Sequence, residues 1–404
     1  MRRTAMTSSE ADIEVRAAAF LAWLAPHLRD RRKRENFALY FAGLMSPSER
    51  KSVEPLAALG QVDATEARRA HDRLLHFVGN SKWSDHEVRL AAARYALEAM
   101  TKREPIRAWI VDDTGFLKQG EHSPGVQRMY TGSAGKIANC QIGVSLTLAT
   151  ETEHLPVDMD LYLPERWADD AVRRRATAIP EALVYRPKWK MSLDMIERAV
   201  ADGLPTGVVL ADSAYGDVGA FRRGLTNAGL EYAVGLHGST VVRRVDAFGE
   251  LAEPESVASI AKSIRSRRRR RITWREGTRK SLSSRFYLCR VQVDGDEASQ
   301  TLAIEWRDDD PERPKFTLSS IAKSQLTATR FMDLVMSRWR TERVYEDLKG
   351  DLGLDHYEGR KYPGWQHHVS VVLCCAAFAT AQKVRAFPPS PSGTDRGDRL
   401  GHAA

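Results

Sequence analysis

One stretch of this 404-residue chain sets a carboxylate between two cations: Arg338-Trp339-Arg340-Thr341-Glu342-Arg343-Val344-Tyr345-Glu346-Asp347-Leu348-Lys349. On a helix, Arg338 lies one turn before Glu342 and Lys349 two turns after it, so all three share a face. Alone, that pattern also describes many solvated helices. Two more carboxylates give it a chemical context. Ile106-Arg107-Ala108-Trp109-Ile110-Val111 is an apolar, β-branched run after Pro105. It leads to Asp112-Asp113-Thr114-Gly115, residues that favour turns and predict the end of the strand. Thr206-Gly207-Val208-Val209-Leu210-Ala211 is a short apolar run of the kind buried in a sheet, followed by Asp212-Ser213-Ala214-Tyr215-Gly216 and a helical pattern. Either Asp alone would serve as a helix N-cap or turn residue. Strand ends, however, are where open α/β sheets gather catalytic groups. Two strand-end Asp and a helical Glu match the needs of a two-metal phosphoryl-transfer site. Mg²⁺ (or Mn²⁺) takes hard oxygen ligands. Three converging carboxylates hold two such ions about 4 Å apart, one activating the attacking oxygen and one stabilising the leaving oxygen.

These residues resemble the signatures of insertion-sequence transposases that carry a DDE triad on an RNase H-like core, specifically the group with a Tyr-Arg-Glu-Lys signature. The resemblance covers most of the chain. It is carried by Val111-Asp112-Asp113-Thr114-Gly115-Phe116 with Gly132-Ser133-Ala134-Gly135-Lys136, by Leu210-Ala211-Asp212-Ser213-Ala214-Tyr215-Gly216, and by Glu342 with Arg338 and Lys349. It implies Asp113, Asp212 and Glu342 as the catalytic metal ligands, with Arg338 and Lys349 near phosphates. Asp112 and Asp113 point to opposite faces of a strand. The family's motif sets its Asp directly before the Thr, which selects Asp113. The signature's Tyr falls at Val335, so that hydroxyl is absent here. The implied activity is metal-dependent cleavage of DNA followed by transfer of the freed 3′ hydroxyl. Its partners would be the element's terminal inverted repeats and target DNA, and a homodimer follows from the need to join two ends. Two rivals fit the same residues: a nuclease that cuts without joining, and a transposase-derived DNA-binding protein that no longer catalyses.

The elements expected to position these groups fall into five parts. Residues 1–104 read as helical, with Ile13, Phe20, Leu21 and Leu24 at helical spacing and capping boxes at Ser46-Pro47-Ser48-Glu49 and Ser84-Asp85-His86-Glu87. Residues 105–237 carry the first part of an α/β core, an RNase H-like mixed sheet flanked by helices on the family's pattern. Residues 238–325 read as a β-rich insertion, with alternating strands at Arg271–Arg275, Arg285–Val293 and Gln300–Trp306. Residues 326–384 complete the core with the Glu342 helix, and 385–404 read as a disordered tail rich in Pro and Ser.

Charge marks the insertion as the nucleic-acid surface. Residues 261–290 hold twelve Lys and Arg against one Glu, while the whole chain sums to +8, so the remaining residues sum to −3. A local basic patch is the footprint of a surface that follows a phosphate backbone. Its candidate contacts are Arg267, Arg268, Arg269, Arg270 and Arg271, with Trp274 offering a ring for an unpaired base. The basic tetrad Arg31-Arg32-Lys33-Arg34 is a second candidate for phosphate contact.

Other chemistries find no support. Cys140, Cys289, Cys374 and Cys375 form no C-x-x-C pair and have no His at zinc spacing, and they suit a reducing cytosol. His367 and His368 are adjacent, diverge on a helix, and read as polar residues opening the last helix. No G-x-x-x-x-G-K-[ST] loop is present. The start of the chain lacks a secretory h-region, and the apolar run Val369–Ala381 is too short to cross a bilayer. The expected location is cytoplasmic, on the nucleoid when bound to DNA.

Overall fold

Helical spacing at the start of the chain yields α1 (Ser8–Leu28), α2 (Arg31–Met45), α3 (Val53–Ala58), α4 (Ala64–Asn80) and α5 (Asp85–Arg103). The computed structural model describes residues 8–59, 63–275, 282–322, 324–325 and 327–386. Ser84 caps α5 as its capping box predicts, accepting from Glu87 N at 3.2 Å. The other expected box does not start a helix. Ser46 closes α2 instead, its Oγ donating to Gly43 O at 2.6 Å. The buried Lys51 ammonium then takes the orphan carbonyls of Leu44 and Ser46 at 2.6 and 2.5 Å, so the helix end is capped from outside.

The core follows as β1 (Ala108–Leu117), β2 (Gln127–Thr131), β3 (Lys136–Ala149) and β4 (His154–Leu161), then the short helices α6 (Glu165–Ala168) and α7 (Ala171–Ala176). Next come α8 (Lys188–Ala201), β5 (Val208–Ala211), α9 (Ser213–Gly216), α10 (Gly219–Asn227) and β6 (Tyr232–Leu236). The central order is β4-β3-β1-β5-β6, with β3 antiparallel to its neighbours β4 and β1, and β1, β5 and β6 mutually parallel. This is the strand pattern of an RNase H-like sheet. Contrary to the turn signal at Asp112-Asp113-Thr114-Gly115, β1 does not stop there. It pairs with β3 in unbroken register from Ala108↔Ala149 to Leu117↔Cys140. Long-range pairing overrides the local turn preference.

The β-rich insertion supplies β7 (Val241–Val245), β8 (Leu251–Ser256), α11 (Val257–Ser263), β9 (Arg270–Arg275), β10 (Leu282–Val293), β11 (Gln300–Arg307) and β12 (Asp310–Ser319). These strands do not form a separate sheet. β12 pairs with β6 and carries the core sheet onward through β11, β10, β7 and β8, giving a twelve-stranded mixed sheet among the described residues. Two long helices close the chain, α12 (Ala328–Gly350) and α13 (Tyr362–Ala386).

Helices cover both faces of the core sheet. Asp158 on β4 meets Arg89 of α5 at 3.3 Å and Arg198 of α8 at 2.8 Å, an ion network that ties both helices to the strand. α13 is long and apolar enough to cross a membrane, but 67% of its most apolar window is buried inside the fold. Burial, not shortness, therefore explains its hydrophobicity. His367 and His368 lie within it at 4% and 0% exposure rather than opening it. His367 is hydrogen-bonded to Val78 O at 2.8 Å, and His368 to Tyr40 Oη at 2.8 Å and Gly353 O at 3.0 Å. The tail expected from residue 385 lies, beyond Ala386, outside the described residues.

Candidate active site

The two faces of β1 are told apart by what they touch. Ala108 and Ile110 join a hydrophobic cluster with Phe331, Met332 and Leu334 of α12, so the even-numbered side of the strand faces that helix. Asp112 continues this side. Its cross-strand partner is Ser145, whose Oγ is hydrogen-bonded to the Tyr345 hydroxyl of α12 at 2.5 Å. Parallel pairing sets Ala108 beside Val208 and Ile110 beside Leu210; Asp212, the residue after β5, lines a cavity with Val335 and Arg338 of α12 and acts electrostatically on Asp112.

Asp212 is held in place from both directions. Its Oδ1 accepts from Ala214 N at 2.9 Å and caps α9, so the N-cap role read from the sequence is real. Gly216 and Gly235 let α9 lie directly against β6. A Cβ at Gly216 would collide with the Gly235 carbonyl, and one at Gly235 with the Ser213 amide. A cavity of about 300 Å³ opens beside Asp212, lined by Arg338 and Val335 of α12 and by Glu305 and Lys315 of the insertion. Val335 is thus an apolar wall where the signature has its Tyr.

Electrostatics set the carboxylates of this face apart. Burial pushes the Asp112 carboxyl up to about 7; the neighbouring Asp113 and Asp212 push the same way, and the Asp113 amide and Arg338 offset part of the effect. Burial also raises Asp212, again with Arg338 opposing and Asp113 adding. Glu342 is exposed on α12, one turn after Arg338 and three residues before buried Tyr345. The three carboxylates are not drawn to one point. Among the described residues, no three Asp, Glu, His or Cys groups stand close enough to share an ion.

Asp113 faces the other way. Its Oδ2 accepts from Lys188 Nζ of α8 at 2.9 Å and from the Tyr215 hydroxyl at 3.3 Å. The alternation expected from the sequence is present, but the side it gives to Asp113 is that of α8. Tyr345 is buried at 6% exposure, which leaves it inside the fold. Lys349 is also anchored, donating to Gly115 O at 2.8 Å and to Ser133 Oγ at 2.9 Å, and burial lowers its ammonium from the usual lysine value. Lys188 and Tyr215 are the contacts missed from sequence. Tyr215 stood within the Asp212 motif, whereas nothing local singled out Lys188.

The basic run is not uniform. Arg267, Arg268, Arg270 and Arg271 are exposed, and Arg271 pairs with Asp308 at 3.1 Å. Arg269 is half-buried, its guanidinium 4.1 Å from the centre of the Trp306 ring and donating to Ile264 O. Trp274 lies in β9 at the irregularity opposite Leu282 and Ser283. β9 and β10 border the start of α12, where the rings of Phe286 and Phe331 meet at 6.2 Å.

A sheet of this order with strand-borne Asp beneath a Glu-bearing helix defines a nuclease-like class, and comparison with known families agrees. The family model described as DDE superfamily endonuclease matches residues 23–281, so the chain belongs to that family. A second model, for a transposase DDE domain, matches residues 186–378. The chain is similar to a probable transposase for insertion sequence element IS701 from Microchaete diplosiphon, 26% identical over 224 residues, which are 55% of this chain and 54% of the relative. The match thus spans about half the length of that curated relative.

Proposed function

We propose that this protein is an insertion-sequence transposase that cleaves DNA phosphodiesters and joins the freed 3′ hydroxyl to a target. The observation that carries the reading is that β1 and β5 run parallel, with Asp112 on β1 and Asp212 just past the end of β5, where Asp212 lines a cavity with Arg338 of α12. A half-buried carboxylate whose proton affinity is raised by burial and by two neighbouring carboxylates suits a divalent cation, which removes the repulsion protonation otherwise relieves. Mg²⁺ or Mn²⁺, when bound, would supply charge for the attacking and leaving oxygens of an in-line displacement. Asp112, Asp212 and Glu342 would hold it, with Asp112 taking the role that the motif resemblance gave to Asp113. Glu342, exposed on its helix, is free to close on the pair when substrate fills the groove. Arg338 lies near enough to both Asp to offset charge there and would do the same for a scissile phosphate. Lys349 would act through β1, by fixing α12 against Gly115, rather than on phosphate. The exposed Arg267, Arg268 and Arg270 lead into β9, which borders α12, and would carry the DNA backbone toward it. A homodimer would bring two ends together.

The test is a labelled duplex ending in the element's own terminal sequence, incubated with Mn²⁺, with EDTA, and with Glu342→Gln. Joined products that need metal and vanish in the variant support the transposase. Cleavage without joining supports the nuclease reading, and salt-sensitive binding without any cleavage supports the non-catalytic one.

A further inference from the structure

We infer that the β2–β3 hairpin is a second DNA-contacting surface, placed for the duplex that flanks the element end on the side of the cleavage point away from the basic insertion. This rests on the function proposed above and adds a substrate arm to it. Tyr130 and Ile137 stand directly opposite each other in the β2–β3 ladder, yet they are 66% and 59% exposed. Two large apolar side chains left in water at one spot mark a surface that meets a partner. Register settles which face they occupy. Ile137 and Ser145 are eight residues apart on β3, β1 and β2 pair with that stretch without a break, and Ser145 is hydrogen-bonded to the Tyr345 hydroxyl of α12. Side chains alternate along a strand, so Ile137 and Tyr130 share the α12 face of the sheet. Arg128, two residues before Tyr130, lies on the same face and is exposed, and Lys136 is exposed beside Ile137.

Charge favours DNA over a second copy of the chain. Residues 127–149 carry Arg128 and Lys136 and no Asp or Glu. Self-association here would set these cations against their own counterparts, whereas a phosphate backbone neutralises them. Apolar side chains flanked by cations suit a minor groove, the apolar groups meeting sugars and bases while the cations take phosphates. The hairpin is also tied to β1 and α12: Ser133 Oγ donates to Gly115 O at 3.2 Å and accepts from Lys349 Nζ at 2.9 Å. A Cβ at Gly115 would collide with Thr131, so hairpin and strand pack directly. In the sheet, β2 is one edge, and the basic β9 and β10 lie beyond β1, β5 and β6 on the other side. An uncut duplex engaged at β1 and β5 leaves in two directions, one arm toward the insertion and one toward the hairpin. Val144 and Ser145 lie opposite Asp113 and Asp112, so Ile137 is about 25 Å from the β1 carboxylates along β3, or about seven base pairs of duplex.

Photo-crosslinking and binding test this on the full chain. p-Benzoylphenylalanine is placed at position 130 or, as an exposed control on α7, at position 172, and irradiated with a duplex carrying the terminal sequence and an extended flank. Position 130 should crosslink to the flank about seven base pairs from its junction with the terminal sequence, and position 172 should not. Arg128→Gln combined with Tyr130→Ala should bind the flanked duplex about tenfold more weakly, through one lost phosphate contact and one lost aromatic contact. Its binding to a duplex trimmed to the element end, and its melting, should match wild type. Arg128→Lys with Tyr130→Phe keeps charge and ring and should bind the flanked duplex like wild type. Crosslinks from position 130 to a second copy of the chain, or to the element end, would overturn the inference. Equal losses on the two duplexes, or no loss on either, would overturn it as well, because the flank would then contribute nothing at the hairpin. Cleavage of the flanked duplex by wild type with Mn²⁺ is followed in parallel. A cleaving wild type with any of those results leaves the functional reading standing without the hairpin contact. A wild type that crosslinks to the flank and cleaves nothing keeps the hairpin contact and removes the catalytic reading.

Discussion

Asp112 and Asp113 are chemically identical neighbours given different surroundings, and that difference is what the fold adds to the sequence. Asp112 sits against α12 with Asp212 beside it, and its carboxyl is pushed up to about 7. An acid held this high must lose a proton before it can ligate a cation. The half-saturating Mn²⁺ concentration should therefore climb as pH falls through about 7, while Asp112→Asn should abolish the dependence along with the activity; titration of cleavage from pH 6 to 8, roughly one unit either side of the raised value, checks this. Lys349 makes a contrasting case. The sequence offered it as a phosphate contact, yet its ammonium is spent on Gly115 O and Ser133 Oγ. Lys349→Met should lower unfolding free energy by about 1 to 3 kcal/mol in a denaturant titration, because a half-buried carbonyl loses a charged donor. Unchanged stability with weakened DNA binding would restore the phosphate role. Residue types and order were legible in the chain, but the face each Asp occupies was not, since it depends on which helix covers which side of β1.

Elements were read best where local and long-range preferences agree. β5 is a four-residue buried strand ending at Ala211, as its apolar run predicts, and β10 and β11 form over the segments read as strands. The turn residues after Val111 misled because β3 offers partners all the way to Leu117. The Ser46 box misled because its hydroxyl bonds backward into α2 and Lys51 finishes the cap. The His pair misled because polarity suggested a helix start, whereas both rings find hydrogen-bond partners inside the bundle. That burial has a measurable consequence. His368 is lowered by burial to about 4 from an ordinary 6.5, so the folded protein binds fewer protons than the unfolded chain between those values. Stability contributed by the neutral ring is fully present above about 6.5 and lost as pH falls to about 4, on the order of 3 kcal/mol in all. Replacing His368 with Gln should flatten the acid limb of the stability–pH curve measured by denaturant titration. A limb of unchanged steepness would contradict the assignment.

At the scale of the whole molecule, the insertion continues the catalytic sheet instead of standing apart from it. The path β5-β6-β12-β11-β10 runs from the strand that precedes Asp212 to the basic strands, so DNA held on the insertion, as proposed, would be registered to the carboxylates through one hydrogen-bonded sheet. The concentration of charge in residues 261–290 was visible from the sequence, but its division of labour was not. Combined Arg267→Gln, Arg268→Gln and Arg270→Gln should leave melting unchanged and reduce the slope of log K against log salt by roughly 2 to 3, close to one per lost phosphate contact. Arg269→Gln should instead cost about 0.5 to 2 kcal/mol of stability through the lost stacking on Trp306, with little change in the slope. The central claim is that one divalent-cation site joins β1, β5 and α12. It is tested most directly by loading the DNA-bound protein with Fe²⁺, generating hydroxyl radicals at the bound ion, and mapping backbone breaks by mass spectrometry. The account predicts breaks clustered around residues 112, 212 and 342 that excess Mg²⁺ suppresses. Breaks confined to other segments, or a cluster at 112 and 212 that never includes 342, would contradict it.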